Sequence, residues 1–225
     1  TAANTFVATV GAITEIGAKP IFVDCDDTFC MNVDLLEKKI TKKTKAIIPV
    51  HYAGLPCDMD KICHLAKKYN LKIIEDCAHA IEAKYKKKDV GNFGDVGCFS
   101  FYANKNITTG EGGSVLTNND KLSDKIIKLR NHGISRNKIV QSSGSWLYEV
   151  KNFGFNFRLS DIHSALGISQ LKKLKKFISK RNKIAKYYDK SFKDVQHIKT
   201  PVVKKGFTHA YHLYPVLIDF KKRKI

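Results

Sequence analysis

The chain has 225 residues, 43% hydrophobic and 27% charged, which suits one globular domain with a sizeable core, or one and a fraction. Its net charge is +19 and uneven, since residues 167–225 hold 17 Lys and Arg against 3 Asp and Glu. No apolar run approaches the roughly 20 residues that span a bilayer, so no membrane span is expected. Six cysteines (Cys25, Cys30, Cys57, Cys63, Cys77, Cys98) occur without a C-x-x-C pair and read as reduced, mostly buried thiols of a cytoplasmic protein. Cys63-His64 and His209-x-x-His212 lack a partner pair at zinc-like spacing, so no metal is expected. The chain enters an ordered pattern at Thr1 and ends in a basic tail, which reads as an internal fragment of a longer chain.

Apolar runs alternate with helical patterns along the chain. Ile21–Val23 reads as a strand closed by Asp24, and Asp34–Ile40 as a short helix with Asn32 or Asp34 at its N-cap. Ala46–Val50 is a β-branched strand ended by His51-Tyr52-Ala53-Gly54. Asp58–Tyr69 is an amphipathic helix opened by Asp58, and Leu71–Ile74 is the next strand. Val96–Phe101 and Ser114–Thr117 are two more, and Lys121–Asn131 is a helix that stops at His132-Gly133. Gln141–Asn152 is weakly patterned and reads as a loop over the site. After Ser160, an N-cap, long helices lead away from the sheet. From Leu171 to Phe192 the apolar stripe is Leu171, Leu174, Phe177, Ile178, Ile184 and Tyr188, which places the lysines on a solvated face.

This alternation argues for βαβ crossovers and a mostly parallel central sheet with helices on both faces. In such sheets ligands bind beyond the carboxyl ends of the strands. Glu75-Asp76 closes one strand and is followed by Cys77-Ala78-His79. The run FSFYANKNITTGEGG (Phe99 to Gly113) places Lys105 in a Gly-rich turn after another. A lysine amine can form a Schiff base with an aldehyde cofactor, and a carboxylate can keep that cofactor's ring nitrogen protonated. Asp76 with Lys105 is the pair that pyridoxal phosphate chemistry needs.

Further motifs run nearly end to end: TFVATVGAI with GAKPIFVD, KTKAIIPVHYAG with DMD, IIEDCAHA, FSFYANKNITTGEGG, LRNHG and FGFNFRLSDIHSALGISQL. In this order and spacing they resemble the DegT/StrS-type sugar aminotransferases, pyridoxal phosphate enzymes of fold type I. The part from SQLKK to HLYPVLI looks most like the branch that serves pseudaminic acid synthesis, aminating carbon 4 of a UDP-linked 4-keto-6-deoxy-N-acetyl hexose. The resemblance implies the α/β PLP-dependent transferase fold type I. Residues 1–165 would be the large cofactor-binding domain without its N-terminal part. Residues 166–225 would hold linking helices and the start of a smaller, truncated C-terminal α/β domain. The family's Ser-Gly-Thr phosphate segment, which precedes TFVAT, lies outside this chain.

Carried over by residue, the resemblance makes Lys105 the Schiff-base lysine and Asp76 the partner of the pyridinium nitrogen. His79 would lie by the cofactor ring or its hydroxyl, where many relatives have glutamine. Ser100 would contact the cofactor phosphate and Phe6 would stack on the ring. Asn156 would reach the phosphate of the other subunit's cofactor with Arg158 beside it, which implies a homodimer with a shared active site. For Phe6, Ser100 and Asn156 the blander readings are core, a strand-end hydroxyl and a turn residue; His79 has a capping or satisfied buried role as its alternative, and His132 reads as a helix end, with a substrate role as its alternative. The implied reaction is ping-pong transamination from glutamate to a nucleotide-linked 4-keto-6-deoxy sugar. Lysine at 105, where some members carry histidine, sets the chain apart from the dehydratase branch. The alternatives are amination at carbon 3, a GDP- or dTDP-sugar substrate, a polyanion-binding regulator on this scaffold, and more weakly a cysteine desulfurase. Nucleic acid is not an expected partner.

Overall fold

The structure, a computed structural model, describes residues 1–135, 144, 146–150 and 152–220. In chain order it has α1 (Val7–Glu15), the one-turn α2 (Val33–Leu36), β1 (Ala46–Ile47), α3 (Met59–Lys68) and β2 (Lys72–Asp76). Then come the hairpin β3 (Lys84–Tyr85) and β4 (Lys88–Asp89), followed by β5 (Val96–Ser100), β6 (Gly113–Leu116) and α4 (Asp120–Arg130). A second small pair, β7 (Ile134–Ser135) and β8 (Glu149–Val150), precedes α5 (Asp161–Leu171) and α6 (Leu174–Phe192). The last strands are β9 (Ile198–Lys199), β10 (Phe207–Thr208) and β11 (Leu217–Ile218).

The central sheet has the order β1-β2-β5-β6. β1 with β2 and β2 with β5 are parallel, while β5 with β6 is antiparallel, so the sheet is mixed but mostly parallel. The parallel β1–β2 pair needs a crossover, and α3 supplies it. Asp58 caps α3 by accepting from the Lys61 amide, and Met59, Ile62, Leu65 and Ala66 are buried with Ile47 and Ile73 in the main core. The link from β5 to β6 instead doubles straight back, and it carries Lys105.

Three expected elements changed. Ile21–Val23 forms no strand: Val23 makes a single parallel bridge to Ala2, and the Thr1 ammonium donates to the Ile21 carbonyl. Among the described residues Val23 pairs through this one rung and Ile21 and Phe22 join no ladder. Asp34–Ile40 is one α-turn, capped by Asn32, that tightens into a 3-10 turn over Glu37–Lys39. Leu36 is its buried side chain, too little apolar face to hold a longer helix. Ala46–Val50 pairs regularly only at Ala46–Ile47, because Pro49 has no N–H for the ladder; its carbonyl still accepts from the Asp76 amide at 2.9 Å.

Ser160 caps α5 as expected, accepting from the His163 amide. On α6 the inward stripe is Leu174, Ile178, Arg181 and Ala185, while Ile184 and Tyr188 are exposed. Small Ala185, rather than bulky Ile184, lies where the helix packs. The lysines of α6 lie on its solvated side as expected. Much of the expected Gln141–Asn152 loop lies outside the described residues; of the rest, Glu149–Val150 pairs with Ile134–Ser135. Beyond α6 the chain returns to the β3–β4 hairpin, where β10 joins β3 in a three-stranded sheet apart from the central one. Among the described residues no helix is long and apolar enough to cross a membrane.

Candidate active site

β2 alternates, so Ile73 and Glu75 point into the core and Asp76 does not. Glu75 is fully buried and accepts from the amides of Gly91, Phe93 and Gly94 at 2.7–2.8 Å. His51 completes this set: the Cys57 amide donates to its Nδ1, so Nε2 carries the proton and donates to Glu75 at 3.1 Å. Burial opposes the Glu75 charge, but His51 and the loop amides outweigh it and hold the carboxyl below its usual range. Donor atoms of His51, Glu75 and Cys77 lie within 4.8 Å of one another. Burial pushes the Cys77 thiol far up, so it stays protonated, and Glu75 is already saturated with hydrogen bonds. The group reads as a core network that fixes the end of β2.

Asp76 stands at that end, two-point fixed. Its Oδ2 accepts from Thr9 Oγ1 on α1, and its Oδ1 from the Ala78 amide, both at 3.1 Å. Its main chain is held too, by the His51 amide and the Pro49 carbonyl. Three residues on, His79 accepts at Nδ1 from the Ala53 amide at 3.2 Å. Its ring meets Tyr52 edge-on at 5.8 Å and lies 4.3 Å from the ring of His212. Burial, and then the Lys105 charge, lower its pKa to about 4 against the pull of Asp76.

Lys105 sits half-buried in the turn after β5, its amide donating to the Tyr102 carbonyl at 3.0 Å. Burial lowers its pKa, and Asp76 opposes that shift. Asp76, His79 and Lys105 therefore form one electrostatic cluster beyond the carboxyl ends of β2 and β5. His212 joins them, its pKa brought to about 3 by burial first and then by His79, Lys105 and Arg181.

The other expected site residues make contacts of their own. Phe6 is the N-cap residue of α1 and is 73% exposed. Ser100 ends β5, half-buried, its hydroxyl accepting from the Tyr102 amide at 3.3 Å. Asn156 is exposed and bridges Asn131 at the end of α4, and Arg158 donates to the Asn131 side chain at 2.6 Å. His132, with φ +56, ends α4 there, its amide donating to the Phe155 carbonyl. These three form a patch along α4 rather than joining the Lys105 cluster. Sequence reasoning missed Thr9 and His212 as members. His209-x-x-His212 was visible as a pair, but only its metal spacing was weighed.

Four buried polar side-chain atoms lack a partner among the described residues: Asn4 Oδ1, Thr5 Oγ1, Asn106 Oδ1 and His212 Nδ1. Asn4 and Thr5 lead into α1, Asn106 follows Lys105, and His212 lies against His79. Such atoms are expected to find a partner, and all four belong to segments around the cluster. A polar ligand held between Asp76 and Lys105 fits this arrangement.

Comparison with known proteins agrees. The profile of the DegT/DnrJ/EryC1/StrS aminotransferase family matches residues 1–225. The GDP-perosamine synthase of Escherichia coli O157:H7 is 42% identical over 95% of this chain and 56% of its own length. The UDP-4-amino-4,6-dideoxy-N-acetyl-beta-L-altrosamine transaminase of Campylobacter jejuni is 41% identical over 95% and 56%. Among solved structures, Helicobacter pylori PseC, an aminotransferase of pseudaminic acid biosynthesis, superposes with a TM-score of 0.90 at 39% identity, over 96% of this chain and 57% of its own. The chain thus spans a little over half the length of these relatives.

Proposed function

The chain belongs to the DegT/DnrJ/EryC1/StrS aminotransferase family, and from that premise we propose that its whole protein is a cytoplasmic, pyridoxal phosphate-dependent aminotransferase of a nucleotide-linked 4-keto-6-deoxy sugar. Glutamate is the amino donor in this reading, and the product is the 4-amino sugar of a surface glycan or nonulosonic acid. The single observation that carries it is the convergence of a fixed carboxylate, Asp76, and a half-buried amine, Lys105, beyond adjacent parallel strands. The unpaired cysteines support a reducing compartment.

Pyridoxal phosphate, when bound, supplies an aldehyde that condenses with amines and a pyridine ring that takes up electron density. Asp76 would hold a proton on the ring nitrogen, and its Thr9 and Ala78 hydrogen bonds keep the carboxylate aimed. Lys105 would hold the aldehyde carbon between turnovers and, once freed, move a proton to and from the reacting carbon. Burial favours its neutral amine, the form that accepts a proton. His79, neutral at physiological pH, would lie by the ring or its hydroxyl. The roles of Phe6, Ser100 and Asn156 at ring and phosphate remain part of this reading, as does the division into residues 1–165 and 166–225.

A homodimer also belongs to the proposal. α1 and α5 bury none of their residues, and Val7, Ile162, Ile168, Phe153 and Phe157 are exposed. Faces so apolar mark interfaces. GDP-perosamine synthase and the altrosamine transaminase are almost equally similar, so the nucleotide is settled by assay. Full-length protein with glutamate and a panel of UDP-, GDP- and dTDP-linked 4-keto-6-deoxy sugars should release 2-oxoglutarate and form an amino sugar with the UDP substrate. Exchange that survives in Lys105→Ala, or no amination of any panel member, would contradict the reading.

A further inference from the structure

One wall of the cluster comes from far along the chain. The turn 209–213 lies against the 3-10 turn Tyr52–Gly54, with the Ala210 amide donating to the Gly54 carbonyl at 2.9 Å and the Leu213 amide to the Ala53 carbonyl at 3.2 Å. Asn106, the neighbour of Lys105, donates to the Ala210 carbonyl at 3.1 Å. Arg181 on α6 donates from Nη1 to the carbonyls of Tyr211 and His212, at 3.0 and 3.1 Å. Within the turn, the Tyr211 amide donates to His209 Nδ1 at 2.9 Å, and Tyr211 adopts the left-handed φ of +46 that side chains rarely take. So many ties on a strained turn fix one side chain in particular: His212, 8% exposed, with its ring 4.3 Å from His79 and its Nδ1 without a partner among the described residues.

We propose that His212 is a substrate-binding residue that hydrogen-bonds an uncharged oxygen of the sugar, a hydroxyl or the keto group, and that Asn106 and Arg181 are the positioning residues that hold it there. The proposal rests on the nucleotide-sugar reading above. A buried nitrogen with no partner is tolerated when a ligand supplies one. The charge of the ring decides which kind. With its pKa near 3, the ring is neutral at physiological pH and offers one donor and one acceptor nitrogen. The groups that bear on it are His79, itself neutral, and the cations Lys105 and Arg181. Arg181 is engaged by the two backbone carbonyls. An anion entering here would be drawn to Lys105, whereas a hydroxyl or keto oxygen matches what neutral His212 presents. A site that hydrogen-bonds a substrate group discriminates strongly against analogues that lack it.

The test uses full-length protein and calorimetric titration with the UDP-, GDP- and dTDP-linked 4-amino-4,6-dideoxyhexoses, each beside its free nucleoside diphosphate. His212→Phe keeps a flat ring on His79 and removes both nitrogens. It should weaken the best-bound amino sugar about 10- to 100-fold while leaving the free diphosphate unchanged. His212→Asn, which keeps a donor and an acceptor, should recover most of that affinity. Arg181→Met should lower amino-sugar affinity without changing that of the diphosphate. The His212 ring nitrogens of the unaltered protein should shift in NMR spectra on adding the amino sugar but not the diphosphate, a readout that stands if His212→Phe fails to fold. Unchanged sugar affinity in His212→Phe, equal losses for sugar and diphosphate, or no differential shift would overturn the role of His212 alone. Unaltered protein that binds none of the amino sugars would overturn the nucleotide-sugar reading with it.

Discussion

Asp76 illustrates how a single side chain acquires a task from its neighbours. Thr9 and Ala78 each hold one carboxylate oxygen, so the group has one orientation to offer. Asp76→Asn keeps a side chain of the same shape but removes the negative charge. The expected result is a fall in kcat of about 100-fold or more, since each 1.36 kcal/mol of barrier is tenfold, with little change in melting temperature. A full rate in Asp76→Asn would show that the charge does not serve the reaction. Asp76 and Lys105 were legible in the sequence because each follows an apolar run at the end of a strand. Thr9 was not, because its contact to Asp76 spans 67 residues and no local pattern marks it. Phe6, singled out from its motif, stands exposed at the N-cap of α1, so its reading as a core residue does not hold.

At the scale of the element, the turn at Gly54 couples two walls of the cluster. Gly54 has φ +98, and an added Cβ would lie 2.8 Å from the His79 carbonyl and 3.1 Å from Ala210 and Tyr211. Gly54→Ala should therefore destabilise the protein by about 2 kcal/mol in urea unfolding and displace the turn 209–213. An unchanged midpoint would mean that the two walls are not packed as described. Elements were legible where a cap and a clear apolar face agree, as in α3 with Asp58 and its buried Met59, Ile62 and Leu65. They were misread where tertiary partners decide. Ile21–Val23 had strand composition but makes a single bridge, at Val23, among the described residues, and the buried stripe of α6 turned on small Ala185 rather than on Ile184. The return of residues 207–213 to the β3–β4 hairpin and the turn at Gly54 was invisible, since it rests on contacts such as the one from Asn106 to Ala210 across 104 residues.

Across the molecule as a whole, two buried histidines and one half-buried one among the described residues have pKa values lowered, chiefly by loss of solvent: His209 to about 4, His212 to about 3 and half-buried His79 to about 4. The unfolded chain binds protons at these rings near pH 6.5 and the folded chain does not, so stability falls as pH drops below that value and keeps falling toward pH 4. The expected loss between pH 7 and pH 5 is on the order of 1 kcal/mol per ring, with His209→Gln showing a shallower slope in thermal unfolding. A melting temperature flat across that range would contradict the burial of these rings. The mixed, mostly parallel sheet was legible because its strands and the α3 crossover follow one another in sequence. The exposure of α1 and α5 was not, because no local pattern in the sequence says whether an apolar helix is buried within the chain.

The most direct test of the central claim is chemical. Full-length protein loaded with pyridoxal phosphate would be reduced with borohydride, digested, and the labelled peptide mapped. The proposed function predicts one label, on Lys105. A label on another lysine, or none, would contradict it.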